Sequence, residues 1–241
     1  MGLFDFFKPK PLKDDNKKTN KVYAYDESQY NKVEQYVEKN FGEIKSVVHE
    51  PYAVSAHITG MHVDVAIIPP TTESNYYKLV TIGAGSYKMN VPEGLKNTEF
   101  ERAEFVMYMP ADWDFGTDTI RVVDKKDWPI NVLKRFARMS MMCESWISVG
   151  HTMSLDAENA HFSEDTDLCS ALCLPAIDKE GKRMYCNVPG LGKINFYVMA
   201  ALYEEELFYV MKNGANAILD KFEKNKIGLV VDTKRKNCAK D

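Results

Sequence analysis

The sequence predicts an α+β fold, with mixed β-sheets and packed helices, for this 241-residue chain. Three observations carry this expectation. Segments rich in β-branched or alternating apolar residues come in clusters, at 55–68, 76–82 and 102–109, and again between 168 and 202. Segments with a 3.6-residue apolar period are few, at 27–41, from 127, and from 204 onward. The two kinds are grouped instead of alternating one for one, which argues against a regular α/β winding.

The opening, Met1-Gly2-Leu3-Phe4-Asp5-Phe6-Phe7-Lys8, has an apolar stretch too short for a signal peptide, and Asp5 interrupts it. The myristoylation pattern asks for Ser or Thr where the chain has Phe6. Its phenylalanines are expected to pack on the domain or to stay in solvent, without stable membrane association. Residues 8–20 are charged, Pro-punctuated and free of aromatics, so 1–22 read as a flexible segment and linker. Residues 23–241 read as the folded part, one large domain or two closely packed lobes.

The first helix is expected over 27–41. Asp26 is its N-cap, Gln29 closes a capping box, and Gly42 stops it. Tyr30, Val33, Val37 and Phe41 form the apolar stripe. A strand is expected from Ser55 to Ile68, ended by Pro69-Pro70, and another from Tyr76 to Ile82, ended by Gly83-Ala84-Gly85. In a third strand, Arg102 to Met109, residues Ala103, Phe105, Met107 and Met109 share one face. Asp127-Trp128-Pro129 opens the second helix, with Asp as cap and Pro in the first turn. Leu133, Phe136, Ala137 and Met141 are its core candidates, and Asn131, Lys134, Arg135 and Arg138 its wet face. Strands follow at 168–174, 183–188 and 193–202. Then come a helix from Glu204 broken at Asn213-Gly214, its continuation to Lys224, and a last short strand, Gly228–Val231.

Composition narrows the function. The chain is 45% hydrophobic and 27% charged, an ordinary globular balance, and its net charge of −4 argues against non-specific nucleic-acid binding. Five cysteines at irregular spacing do not make a disulfide framework, so reduced thiols in the cytoplasm are expected. No apolar run is long enough to span a bilayer.

Catalytic motifs are thin. His57, His62 and Asp64 tempt a metal reading, but on one strand His62 and Asp64 share a face and His57 takes the other. The spacing matches no zinc pattern. Cys169 and Cys173 fit neither a redox motif nor a zinc knuckle and read as buried thiols. Gly83-Ala84-Gly85-Ser86 lacks the Walker lysine and the third Rossmann glycine, and reads as a turn with positive φ. Ser148-Val149-Gly150-His151 lacks the flanks of a nucleophile elbow. No catalytic residue, metal or cofactor is therefore assigned. The alternative kept beside this is a metal-dependent hydrolase using His62, Asp64 and His151.

The assembled pattern resembles the suppressor-of-fused domain family over roughly residues 26–235. The resemblance rests on His62-Val63-Asp64-Val65-Ala66-Ile67-Ile68-Pro69-Pro70-Thr71, Leu79-Val80-Thr81-Ile82-Gly83, Glu101-Arg102-Ala103-Glu104-Phe105, Met109-Pro110 and Trp113. It continues with Trp128-Pro129, Leu133, Ala137 and Arg138, then Gly150-His151-Thr152, Phe196 and Leu202-Tyr203-Glu204-Glu205-Glu206-Leu207. Asn213-Gly214, Leu219, Asp232 and Arg235 complete it. One departure stands out: many bacterial members carry serine where this chain has Gly85.

What the resemblance implies is a suppressor-of-fused-like domain that binds a protein and does no catalysis. In the family's animal members the bound peptide lies as an extended strand between two lobes. The long insertions of those members are missing here, so hedgehog signalling is not implied. Many bacterial members look like immunity proteins that neutralise a toxin by direct binding, and a basic toxin would suit the acidic balance. Glu104 matches a family glutamate near the peptide groove. The candidate partner-binding residues are His62, Asp64, Glu104, Tyr108, Trp113 and His151. The oligomeric state is left open.

Overall fold

The computed structural model describes residues 21–95, 99–115 and 125–240. The Phe-rich opening and almost all of the expected linker lie outside these residues. The architecture is mixed α+β: one eight-stranded mixed sheet with helices on both faces.

Helix α1, Glu27–Phe41, forms as expected, with the complete Asp26–Gln29 capping box and Val33, Val37 and Phe41 buried. Strand β1, Ser46–Val48, is too short to show a period in the sequence. The expected long strand from Ser55 is corrected. Tyr52–Val54 is a helical turn, α2, which runs into a π-helical turn at Ser55–Thr59. Pro51 opens this segment and Gly60, at φ +70°, closes it. Ile58 is 78% exposed, so its β-branched side chain has no pleated surface to pack on, and β-propensity loses to local turn geometry. Only β2, Asp64–Ile68, remains of that strand.

Strands β3, Tyr76–Ile82, and β4, Ala103–Pro110, follow the sequence expectation closely. Helix α3, Trp128–Met142, begins with Pro in its first turn, but the Asp127 side chain makes no cap hydrogen bond. Its wet face is narrower than expected. Asn131 and Arg135 are exposed, whereas Lys134 and Arg138 are buried. Both cations reach acceptors inside the molecule, which a polar/apolar pattern cannot register.

Strand β5, Thr152–Ser154, precedes β6, Ser170–Pro175, β7, Tyr185–Val188, and β8, Gly192–Leu202. Helices α4, Glu204–Asn213, and α5, Ala215–Lys224, are separated by Gly214 at φ +86°, as the break at Asn213-Gly214 predicts. The expected last strand, Gly228–Val231, reduces to a single bridge between Val230 and Tyr108.

The strand order is β1-β2-β3-β4-β8-β6-β5, with β7 also pairing β8. Each half of the chain builds an antiparallel half-sheet, β1–β4 and β5–β8. One parallel pair joins them, Ala103–Val106 of β4 against Asn195–Val198 of β8.

Both faces are covered. On one, Phe105, Met107, Met109, Tyr197 and Met199 pack under α3 with Leu133 and Phe136. On the other, Ile194, Phe196 and Val198 meet Val33, Val37 and Phe41 of α1, and Ala200 and Leu202 meet Val210, Ile218 and Phe222 of α4 and α5. Phe196 lies 5.0 Å from the Tyr36 ring and 5.4 Å from that of Phe41. A phenylalanine buried this way contributes about 1.5–3 kcal/mol.

Candidate functional site

Three polar assemblies are set into this frame. The first surrounds Asp64 at the start of β2, 2% exposed. Its carboxylate accepts the Glu50 amide at 2.8 Å, the Tyr30 hydroxyl at 3.2 Å and the His49 ring at 2.9 Å, and lies 3.2 Å from His62 Nε2. Burial pushes this carboxyl up, but the His62, Glu50 and His49 donors overcome it and bring it down to about 2. Ser55 bridges the other side of the His62 ring, 3.1 Å away, to Glu50, 2.9 Å away. Glu50 is paired with Arg138, whose guanidinium also caps the Met61 carbonyl, and Lys134 caps the Val48 carbonyl at 3.2 Å. The two buried cations of α3 thus tie that helix to β1 and to the π-helical turn.

The second assembly is centred on Glu104, which is fully buried on β4. It accepts five hydrogen bonds: Tyr25 at 2.6 Å, Thr81 at 2.5 Å, and the amides of Gly83, Ala84 and Gly85 at 3.0, 3.3 and 3.0 Å. Burial raises its carboxyl, against the pull of Thr81, Tyr25 and the loop amides. Gly83 takes φ +128°, and a Cβ there would meet the His62 carbonyl oxygen at 2.3 Å. The expected positive-φ turn is therefore present, and its function is to wrap a carboxylate. A Cβ on Gly85 would fall 2.3 Å from the Tyr25 hydroxyl. Glycine at that position leaves room for the tyrosine that binds Glu104.

The third assembly lies where the half-sheets part. Asn195 N donates to the Arg102 carbonyl, and Cys169 N to that of Leu202. Odd residues of β8 therefore turn their backbone groups to β4, and even residues turn theirs to β6. Beyond Val106 and Val198 the two strands no longer pair, leaving a notch. One lip is Met107–Pro110, the other Met199–Leu202. The chain itself crosses this notch after α5. Leu229 packs on the face of α1, α4 and α5, and Val231 on the face of α3. Val231 N donates to the Tyr108 carbonyl at 2.9 Å, on one lip. Arg235 donates to the Ala201 carbonyl at 2.9 Å, on the other.

Arg235 is held by Glu206, which is fully buried at the start of α4 and also accepts the amides of Tyr203 and Cys238. Its guanidinium lies over the rings of Tyr203, at 4.7 Å, and Phe222, at 5.0 Å. A polar pocket opens beside this clamp, lined by His161, Asp167, Glu204, Arg235, Asn237 and Lys240 among others.

The sequence-derived candidates scatter over these assemblies. His62 and Asp64 meet in the first and Glu104 anchors the second. Tyr108 is a lip of the third, half-buried, with its ring 5.0 Å from Tyr76 and its hydroxyl pushed up to about 12 by burial. Trp113 donates to the Lys126 carbonyl at 3.0 Å and packs edge-on against Trp128, a core residue. His151 stands apart, its ring 4.6 Å from Trp146, and burial lowers its basicity. The trio of the hydrolase alternative therefore does not assemble. Among the described residues, no group of three or more His, Cys, Asp and Glu could hold a metal ion. All five cysteines are free, and Cys169 and Cys173 are buried, as expected.

Comparison with known proteins places this architecture. The family model described as suppressor of fused protein (SUFU) matches residues 59–236. The chain belongs to the suppressor-of-fused family. Among curated relatives, the uncharacterized protein UU111 of Ureaplasma parvum serovar 3 is 26% identical over 171 residues, covering 70% of this chain and 76% of that protein. The putative SUFU homologue of Neisseria gonorrhoeae superposes with a TM-score of 0.60 at 14% identity, over 87% of this chain and 96% of that one. A chain of the Sufu–Fu complex gives 0.60 at 12% identity, over 88% and 93%. At these identities the superpositions establish a shared suppressor-of-fused fold.

No motif in the sequence marks several residues that build the assemblies as buried. Glu206 is the third of three consecutive glutamates, and nothing in the tract marks which one turns inward. Glu50 stands beside a proline with no motif. The 3.6-residue period puts Arg138 on the wet face, although it stands among the residues of the family resemblance, because a polar/apolar pattern does not register its partner Glu50.

Proposed function

We propose that this suppressor-of-fused protein works by binding a segment of another protein at the notch between β4 and β8, without bond-making chemistry, and that toxin immunity in the cytoplasm is the form this takes. The carrying observation is the parted sheet. Both lips present main-chain carbonyls, Tyr108 and Ala201, that turn toward the gap instead of toward a neighbouring strand. Such groups accept an extended segment by strand addition, and side-chain pockets at alternate positions add selectivity. The homologue in the Sufu–Fu complex is a member of this fold held with a protein partner. Five free cysteines suit a reducing compartment, and no helix among the described residues is long and apolar enough to cross a membrane.

Co-expression with a toxin encoded in the same genomic neighbourhood tests the immunity form. Growth rescue with a stable complex supports it. A toxin that is neither bound nor neutralised ends that form, and capture from the native host then decides whether binding of another protein survives.

A further inference from the structure

The segment that crosses the notch differs from the strands on either side of it. It is not a strand of the sheet: a single bridge, Tyr108 with Val230, is its whole ladder. It passes from one face to the other, and a few side chains hold it. Leu229 reaches the α1, α4 and α5 face, Val231 the α3 face, and Arg235 the Glu206 carboxylate. Between these anchors Val230 is half-buried, and Asp232 and Lys234 are exposed. The lips belong to two half-sheets that join over only four residue pairs, and Met107–Pro110 and Met199–Leu202 lie beyond them. The strap is held by the Val231 main-chain bond, by the Tyr203 hydroxyl on the Arg235 carbonyl and by the Arg235 side chain on Glu206 and Ala201, and an element held mainly by side chains, with no ladder beyond one bridge, can open below the threshold of global unfolding.

We infer that residues 229–235 are a stand-in, held in cis, for the partner segment that the notch binds. This rests on the binding reading above and adds the chemistry of the occupant. The partner supplies a stretch with two apolar residues flanking a third, then a turn like the strap's own, where the Asp232 carboxylate accepts the Lys234 amide at 2.9 Å, and an arginine four positions after the second apolar residue. The apolar pair fills the two faces of the notch, and the first residue of the strap's own pair is Leu229. A main-chain N–H at the second apolar position bonds the Tyr108 carbonyl. The arginine enters the Glu206 clamp, where the fixed fork of a guanidinium meets a carboxylate and a carbonyl together, a geometry that lysine does not supply. The strap and the partner then compete, so affinity measured on the intact chain is reduced by the fraction of time the strap stays seated.

The test uses a fluorescent peptide of residues 227–237, Ile-Gly-Leu-Val-Val-Asp-Thr-Lys-Arg-Lys-Asn. It is titrated into the full wild-type chain and into an Arg235→Ala chain, whose own strap has lost its clamp while both lips and Glu206 remain. The peptide is expected to bind the variant about tenfold more tightly than wild type. A peptide with Glu in place of its arginine is expected not to bind. Equal binding to both proteins, or equal binding of both peptides, overturns the inference.

Should Arg235→Ala fail to fold, hydrogen exchange on the wild-type chain decides. The Val231 amide is expected to exchange at least about tenfold faster than the β8 amides. Exchange of Val231 at the β8 rate means that the strap leaves only when the molecule unfolds, and overturns the inference. Neither measurement needs the natural partner. Strap release with no partner captured therefore marks failure of the binding reading, and a captured partner with an immovable strap marks failure of this one.

Discussion

Replacing Tyr25 by Phe removes one hydroxyl and tests the Glu104 assembly directly. That hydroxyl donates to a fully buried carboxylate at 2.6 Å. Thr81 and three loop amides remain on the carboxylate, so the substitution leaves no orphaned acceptor. A hydrogen bond to a charged group contributes about 1.5–3 kcal/mol, which sets the expected loss at about 2 kcal/mol. For a chain of this size that lowers Tm by about 4–8 °C. Urea denaturation with unchanged slope is the assay. Gly85→Ser provides the coupled perturbation, because its Cβ would fall 2.3 Å from the same hydroxyl. Part of its cost vanishes when the hydroxyl is already gone, so the double variant is expected to be more stable than additivity allows by at least about 0.5 kcal/mol. A Tyr25→Phe loss below about 0.5 kcal/mol, or strict additivity, would refute the assignment of Tyr25 and Gly85 to one assembly.

Three further outcomes are expected. Arg138→Ala leaves Glu50 buried without its cation and is expected to cost about 3–5 kcal/mol in chemical denaturation, against about 0.5 kcal/mol or less for the exposed Arg135→Ala on the same helix. Asp64, held down from 3.8 to about 2, binds fewer protons in the folded than in the unfolded chain between those pH values. Its contribution, about 2 kcal/mol, is complete above about pH 4 and lost as pH falls through about 2. The stability difference between wild type and Asp64→Asn should shrink by that amount between pH 5 and pH 2, and a constant difference contradicts the role given to His62, His49 and the Glu50 amide. Gly83→Ala, strained at φ +128° and 2.3 Å from the His62 carbonyl, is expected to lower Tm far more than Gly94→Ala, whose Cβ would enter open space.

The elements that were legible in the sequence are those whose period outlasts their ends. Helix α1 carries its stripe and its capping box within fifteen residues, β4 and β8 alternate long enough to name a face, and β3 is bounded by its Gly83 stop. Three-residue β1 and β5 have no period to read. The stretch before Asp64 misled because Ile58 and Thr59 are strand formers by propensity, while Pro51 and Gly60 settle the backbone. The assemblies were harder still. Glu104, Asp64 and Glu206 look like surface carboxylates in a linear pattern, and only distant donors from Tyr25, His49 and Arg235 make their burial tolerable. Family resemblance puts Glu104 near a peptide groove, and Tyr108 stands beside it as an aromatic candidate anchor. The structure separates them, one sealed beneath the Gly83 turn and the other on the lip.

The four-pair junction of β4 with β8 unites residues separated by about ninety positions in the chain. During synthesis the inner border of β4 is complete well before Asn195 leaves the ribosome, and until then it presents an unpaired apolar strand. Long-range parallel pairing of this kind is slow, because loop closure comes before any contact is gained. The first half-sheet therefore passes through a period of exposed border in which self-association competes with maturation. Substitutions at Phe105 or Val106 should consequently reduce soluble yield in the cell more than their effect on the finished molecule's stability would suggest.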